Sequence, residues 1–303
     1  MTGPHIGELA AMATAFLWTL SMLAWTLAGR RIGSIAVSFL RLIITLLFLI
    51  AYGGLIRHRW LPTDADGRTW LLLILSGVAG YLVSDLCAFR ALLLIGPRRT
   101  LLLQSLSPPT AAIISWVFLG EVLSARHWLA MAVTLTGITW VVLERRERTE
   151  VEYSPRQLRL GVLLAVAAAL AQATGMVLSR QGIGNFDAVA ATLIRVLGAL
   201  PGYLVFVTVL RRWPSIFAAM RQTRAMAIVF TGSLIGPLLG VVLCMIALRH
   251  CPAGVVTTIV STMPVLILPC SILLFHEKVS LRAVAGAVLS VAGVALMCWG
   301  SGE

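Results

Sequence analysis

Long apolar runs recur along the 303-residue chain, and each has about the length needed to cross a membrane. A transmembrane helix needs about 20 consecutive apolar residues to span a hydrocarbon core roughly 30 Å thick. Inside lipid, runs of this length satisfy their backbone hydrogen bonds as helices, whereas barrel strands would be about half as long and would alternate. The sequence therefore predicts an all-α integral membrane protein.

The composition also indicates that most of the protein surface faces a lipid bilayer. The chain is 59% hydrophobic and only 12% charged, whereas a soluble domain is typically about 25% charged. The net charge of +12 comes mainly from arginines at the ends of apolar runs. This placement is typical of juxtamembrane anchors and does not favour nucleic-acid binding. The five cysteines are scattered and no histidine lies inside a run, so we expect neither a metal nor a cofactor.

Charged clusters and Gly/Pro residues divide the chain into ten predicted transmembrane helices. The spans are 6–28, 35–56, 69–92, 99–120, 127–143, 160–180, 188–210, 225–248, 253–275 and 283–300. The longest connection, residues 144–159, carries charges of both signs without apolar periodicity. We interpret it as a linker between a first five-helix repeat at 6–143 and a second five-helix repeat at 160–300.

The two halves are predicted to be internal copies of each other. At a shift of 156 residues the matching pairs are Ala91/Ala247, Ser105/Ser261, Pro108/Pro264, Glu121/Glu277, Ser124/Ser280, Arg126/Arg282 and Gly137/Gly293. At a shift of 154, Arg41 falls on Arg195. Five spans per half is an odd number, so the second repeat is expected to be inverted relative to the first. Inverted repeats recur in secondary transporters, with the substrate site near the midplane.

Each half resembles the EamA unit of the drug/metabolite transporter superfamily. The resemblance lies in SLSPPTAAIISWVFLGEVLSARHWL in the first half and STMPVLILPCSILLFHEKVSLRAVAG in the second. A proline followed by an apolar run that ends in LGE, here FHE in the second half, is its most distinctive stretch. The resemblance implies ten helices and export of small metabolites, including amino acids, by a protein that is not an enzyme. We also expect a multi-pass monomer in the plasma membrane, that is, the bacterial inner membrane.

Two prolines near the middle of spans 4 and 9, Pro108 and Pro264, are candidate cavity residues. A proline inside a helix frees the carbonyl four residues earlier, here that of Gln104 in span 4. Free carbonyls at membrane depth are tolerated where they face protein or a water-filled cavity. We therefore expect a hinge or a polar patch that includes Ser105 and Ser261. The alternative is a simple kink satisfied by neighbouring hydroxyls.

Several polar side chains inside the spans could line the same cavity. Asp85 is the one acid well inside a span, and the aligned residue of the second repeat is Val241. It could be a substrate or proton site, or the partner of an arginine on another span. The other cavity candidates are Trp18, Tyr81, Gln104 and Gln172. Arg41 and Arg195 are expected to snorkel to the interface, with an anion-holding role as the alternative.

Small residues at every fourth position predict close helix packing in spans 3 and 8. Gly80 and Ser84 lie on one face of span 3. Gly232, Gly236 and Gly240 lie on one face of span 8. Such a face lets the backbone of a neighbouring helix approach closely. Glu121, which ends span 4, is expected to cap the N-terminus of the next helix.

Three functions remain open from the sequence. The first is a carrier that exports small metabolites, among them aromatic amino acids, or facilitates their passage by alternating access. The second is a proton-coupled multidrug antiporter that uses Asp85. The third, a membrane-embedded enzyme, is disfavoured because the spans hold no paired acids, His/Glu cluster or GxSxG motif. Counting 15 basic residues against six in alternate loops predicts both termini outside, whereas the family resemblance implies cytoplasmic termini.

Overall fold

The protein is a bundle of long helices, seen in a computed structural model that describes residues 5–144, 154–263, 265–266 and 280–298. The helices of the first half are α1 (Ile6–Ile32), α2 (Ser34–Ile56), α3 (Gly67–Gly77), α4 (Ser84–Gln104), α5 (Ser107–Leu119) and α6 (Ala125–Glu144). Those of the second half are α7 (Pro155–Ile183), α8 (Ala188–Val209), α9 (Trp213–Met220), α10 (Thr223–Ser233), α11 (Val241–His250), α12 (Ala253–Val260) and α13 (Leu281–Cys298). Within these ranges there is no strand, which confirms the all-α prediction.

Eight of the described helical stretches are long and apolar enough to cross a membrane. They correspond to the first eight predicted spans. The ninth predicted span, 253–275, begins as α12 and lies partly outside the described residues. The tenth corresponds to α13, which contains a shorter apolar stretch at Leu281–Leu296. The protein is therefore a multi-pass membrane protein, and the count of ten helices stays a prediction.

Glycines with positive φ make two of the tightest turns between spans. Gly33, with φ of 84°, alone separates α1 from α2. Gly96, with φ of 78° and ψ of 166°, interrupts α4 and ends the third span. Side chains other than hydrogen disfavour this region, so glycine permits the reversal. The third span consequently runs to Gly96, a few residues beyond its predicted end.

The fourth span is broken rather than bent. Its first segment ends at Gln104, and a new helix, α5, begins at Ser107. Pro108 occupies the first turn of α5, where its missing N–H has no helical partner to lose. The expectation of a proline inside one continuous helix is therefore wrong for Pro108. Pro264 lies outside the described residues.

The repeat predicted from the sequence is visible in the backbone. Ser105 follows α4 with φ −66° and ψ −4°, and Ser261 follows α12 with φ −65° and ψ −7°. Two π-helical segments, Val78–Val83 and Leu234–Gly240, also start 156 residues apart. π-Helical turns inside α-helices occur frequently at functional sites. Both kinds of irregularity thus recur at the same place in each half.

The two halves interleave, so that much of the core lies between them. Helix α1 packs against α10 and α11, and its counterpart α7 packs against α3 and α4. Helix α2 packs on α8, and α6 packs on α13. Arg57, just after α2, approaches Asp187, just before α8, with Nε 3.7 Å from Oδ1. The repeat-related helices α2 and α8 therefore run in opposite directions, as an inverted repeat requires.

Two helical features lie outside the predicted spans. Helix α7 begins at Pro155, inside the segment 144–159, because Ser154 and Gln157 form a capping box. The short helix α9 lies between the seventh and eighth spans. It buries Ile216 and stacks Trp213 on Phe217 with ring centroids 5.9 Å apart.

The bundle has two ends. We call the end that holds α9 and residue 154 the linker face. The opposite end, where α1 begins, is the terminal face.

Candidate functional site

An ion pair inside the bundle joins Arg41 of α2 to Asp85 of α4. Arg41 Nη2 donates to Asp85 Oδ2, and the side chains are 19% and 26% exposed. The hydroxyl of Tyr203, from α8, donates to the same oxygen at 3.2 Å. The Arg41 guanidinium also lies over the Trp25 ring, 4.6 Å from its centroid. Of the roles considered for Asp85, the structure therefore places it as the partner of an arginine on another span.

A second arginine, Arg195 of α8, has a different environment. It is 4% exposed, and its guanidinium lies over the Tyr81 ring, 4.7 Å from the centroid. Its Nη1 approaches the sulfur of Met245 at 4.0 Å, a weak acceptor. Its Nε has no hydrogen-bond partner among the described residues. The expectation that Arg195 snorkels to the interface is wrong, because neighbouring helices enclose the side chain.

Gly80 marks the point where three of the polar side chains meet. A methyl group placed on Gly80 would lie 3.4 Å from Arg195 Nη2 and 3.8 Å from Gln172 Oε1. Tyr81 is the next residue, its ring lies under the Arg195 guanidinium, and Asp85 follows it by one helical turn. The structure therefore brings Tyr81, Asp85 and Gln172 together with the two arginines, at the π-helical segment of the third span.

The other cavity candidates lie elsewhere. Trp18 of α1 packs on Gly240, where an added methyl group would meet its indole Nε1 at 2.7 Å. Ser105 and Ser261 each donate to a carbonyl of the preceding helical turn, at 2.6 and 2.7 Å. Pro108 is buried and Gln104 is half-buried at the break of the fourth span. Within the described ranges no hydrogen bond joins this break to the arginine cluster.

The small-residue faces lie at contacts between the two halves. Ser84 donates to the carbonyl of Ala168 in α7 at 3.0 Å. A methyl group on Gly175 of α7 would lie 3.0 Å from the Cα of Gly80. Gly232, Gly236 and Gly240 lie against Trp25, Ser21 and Trp18 of α1, respectively. Each repeat thus presents its small-residue face to the first helix of the other repeat.

Glu121 connects the halves at the terminal face. Its Oε1 accepts from Arg180 Nε at 2.8 Å, and Arg180 Nη1 donates to the Leu248 carbonyl. The expected capping role is therefore wrong. Ser124 precedes α6 instead, and its Oγ accepts from the backbone N–H of His127 at 3.4 Å.

A family comparison accounts for this architecture. The model of the EamA-like transporter family matches residues 5–143 and 159–299, which together make up most of the chain. The chain belongs to the EamA-like transporter family. It is thus a membrane transporter of small molecules, and the family resemblance drawn from the sequence is confirmed.

Two further similarities agree with membership of the EamA-like family. An uncharacterized transporter in the cobO 3′ region of Sinorhizobium sp is 43% identical over 76 residues, which cover 25% of this chain and 53% of that protein. The match therefore spans about half of the relative's length. A protein of known crystal structure superposes with a TM-score of 0.73 at 22% identity, covering 96% of this chain and 95% of that one. At this identity the superposition shows a shared fold.

Some functional candidates of this EamA-like transporter were not foreseen. Tyr203 sits in an apolar run, and its hydroxyl role follows only from the approach of α8 to Asp85. Glu8, at the start of α1, is 3% exposed, and its Oε2 has no partner among the described residues. One signal for this arrangement was present in the sequence. Arg41 of the first repeat is matched by Arg195 of the second, whereas Asp85 is matched by the uncharged Val241. In the described ranges no three metal-binding side chains cluster.

Proposed function

We propose that this EamA-like transporter exports small metabolites, or facilitates their passage, by alternating access through a route between its two repeats. The observation that carries the proposal is a polar cluster to which both repeats contribute. Arg41, Asp85 and Tyr81 come from the first repeat, and Arg195 and Tyr203 from the second. Ionisable side chains inside a membrane are costly, so their collection in one cluster favours a solute site.

The side chains around this cluster favour an aromatic or amphipathic cargo. Tyr81 and Trp25 supply aromatic faces, and Gln172 supplies an amide beside Gly80. Small-molecule sites commonly combine such faces with a few placed polar groups. Aromatic amino acids are therefore the first class to test. We propose a monomer in the plasma membrane as the working form.

Rocking of the two repeats would open the route alternately to each side. The small-residue faces on α3–α4 and α10–α11 let helices of opposite repeats slide with little steric obstruction. The Arg180–Glu121 ion pair spans the two repeats at the terminal face, so it would have to separate whenever the route opens there. Asp85 already has Arg41 as its counter-ion. That pairing favours a structural role for Asp85 over a proton-carrying one, and hence exchange or facilitation over proton antiport.

Counterflow in proteoliposomes tests the proposal. Purified protein is reconstituted in liposomes loaded with unlabelled phenylalanine, and the uptake of external labelled phenylalanine is followed with equal pH on both sides. We expect transient accumulation above the level of protein-free liposomes. Absence of counterflow for phenylalanine and for other aromatic metabolites of each charge type would contradict the proposed function. Accumulation that requires a pH gradient and is lost in Asp85→Asn would favour proton antiport instead.

A further inference from the structure

The charges inside the polar cluster do not balance. Arg41 is matched by Asp85, which also accepts from Tyr203. Arg195 is more deeply buried than either member of that pair, and the described residues offer it no carboxylate. The cluster therefore holds two guanidinium groups and one carboxylate, a net charge of about +1 at neutral pH. A buried charge without a partner is costly and calls for an explanation.

The repeat shows where a second carboxylate would stand. Asp85 pairs with Arg41 in the first repeat, and the residue that matches Asp85 in the second repeat is Val241. Val241 is buried at the start of α11, one turn before Met245, whose sulfur approaches Arg195 Nη1. The second repeat thus has the matching arginine but not the acid. An internal counter-ion is missing at the place where symmetry would supply one.

The unsatisfied groups around Arg195 are donors. Arg195 Nε is buried and has no hydrogen-bond partner in the part of the chain that the structure describes, and a guanidinium has no acceptor atom. The Tyr81 hydroxyl beside it is also buried and unpaired among the described residues. Two unmatched donors and one unmatched positive charge are complementary to a single acceptor group with a negative charge. Carboxylates fit a guanidinium in this way, often through two parallel hydrogen bonds.

We propose that Arg195, assisted by Tyr81 and Gln172, binds the carboxylate of the transported solute. This inference rests on the proposed transport function and names the chemical class of its cargo. Among the described residues the one acid in the cluster is Asp85, which already pairs with Arg41, so the site favours a monoanionic aromatic acid over a zwitterionic amino acid. The bound carboxylate takes the place that Asp85 holds for Arg41.

The backbone keeps Arg195 in position for this role. A methyl group on Gly77 would overlap the Arg195 carbonyl, so α3 and α8 are in backbone contact at this residue. The Tyr81 ring then covers one face of the guanidinium. Such a fixed side chain loses little further freedom when a solute binds, which favours affinity. With Arg195 only 4% exposed, the solute reaches it as the repeats move apart.

Binding measurements on the purified full-length protein in detergent separate charge from shape. Four solutes keep the phenyl ring and change the charge: phenylacetate, phenylacetamide, phenylalanine and phenylethylamine. Isothermal titration is expected to give the tightest binding for phenylacetate, weaker binding for phenylalanine and the amide, and the weakest for the amine. Equal affinities for phenylacetate and phenylacetamide would overturn the proposal. Measuring binding avoids the leak of protonated phenylacetic acid through liposomes.

Three variants identify the residue responsible. In Arg195→Gln the Kd for phenylacetate is expected to rise about 10- to 100-fold, the range of one charge-assisted pair, with Arg195→Lys in between. Val241→Asp supplies the missing internal acid and is expected to weaken phenylacetate binding similarly. The matched control is Arg90→Gln, an exposed arginine of α4, for which no change is expected. An unchanged Kd in Arg195→Gln would overturn the proposal.

Two further readouts exclude trivial explanations. Arg195→Gln removes a buried unpaired charge, so its melting temperature should not fall, and a purely structural arginine would behave oppositely. If that variant does not fold, Tyr81→Phe keeps the ring and removes one donor, and a several-fold weaker phenylacetate affinity is expected; an unchanged affinity would overturn the proposal. Counterflow reports separately on the proposed function. If counterflow is undiminished but binding does not depend on the charge of the solute, only the carboxylate site is ruled out. If no solute shows counterflow, the proposed transport route is ruled out.

Discussion

Arg41 and Arg195 occupy matching positions in the two repeats, yet their surroundings differ. Arg41 has a carboxylate, a tyrosine hydroxyl on that carboxylate and an indole face. Arg195 has a phenol face and a thioether sulfur, and is the more deeply buried of the two. The first repeat thus holds a neutral pair, while the arginine of the second repeat has no carboxylate partner among the described residues. An inverted repeat can hold a scaffold in one copy and a recognition group in the other.

The contacts between helices near the two arginines also differ. Around Arg195, α3 meets α7 and α8 through small residues, with Ser76 donating to the Gly175 carbonyl at 2.7 Å. Beside Arg41, the indole of Trp25 from α1 rests on Gly232 of the eighth span. Backbone-to-backbone contact is less able to relax than side-chain contact. The backbone of the arginine without an acid is therefore in direct contact with the backbone of α3 at Gly77.

The largest predicted effect comes from Gly77→Ala, which pushes α3 away from Arg195. Its new methyl group would overlap the Arg195 carbonyl, and backbone atoms cannot rotate away. We expect a loss of about 3 kcal/mol in stability, at the upper end for overpacked sites, together with loss of phenylacetate binding. Denaturation in mild detergent and titration measure the two effects. Gly29→Ala is the control, since an added methyl group there meets no atom within 4 Å; equal behaviour of the two variants would contradict the prediction.

Asp85→Asn should make the Arg41 site resemble the Arg195 site. The substitution leaves Arg41 without its counter-ion, and we expect a loss of about 2 kcal/mol. Fully buried pairs lose about 3–5 kcal/mol, and the exposure of these side chains, 19% and 26%, reduces the effect. Denaturation of Arg41→Gln, Asp85→Asn and the double variant measures the coupling. The double variant should recover much of the loss, whereas strictly additive losses would show that the pair contributes nothing.

The helices, the membrane class and the repeat were readable from the sequence because they depend on local patterns. Apolar runs set the spans, and matched prolines, serines and arginines at fixed shifts revealed the copies. The turns at Gly33 and Gly96 follow from residue type as well. What local patterns could not supply is the register between helices of opposite repeats. The Arg41–Asp85 pair links residues 44 apart, and Tyr203 reaches Asp85 from 118 residues away.

At the break in the fourth span, the sequence pattern identified the right residue but predicted the wrong geometry for it. Proline was rightly identified as the irregular point, but the chain interrupts the helix at Ser105 and begins a new one at Ser107. Pro108 then starts a helix instead of bending one, which avoids the clash with the preceding carbonyl.

The prediction for Arg195 was also wrong in its geometry. Snorkelling assumes a lipid-facing side chain, whereas the interleaved repeats leave Arg195 only 4% exposed.

The smallest predicted effect contrasts the two tyrosines that accompany the two arginines. Tyr203→Phe removes the hydroxyl that donates to Asp85 at 3.2 Å, and we expect a loss of about 1 kcal/mol, the usual net contribution of one hydrogen bond. Tyr81→Phe removes a buried hydroxyl that bonds to none of the described residues, so the stability of the solute-free protein should stay the same or rise slightly. Parallel denaturation of both variants measures the difference, and adding phenylacetate should then stabilise Tyr203→Phe more than Tyr81→Phe. Equal losses of stability in the two variants without solute would mean that the Tyr81 hydroxyl has a hydrogen-bond partner in the protein. The site at Arg195 would then no longer have two unmatched donors.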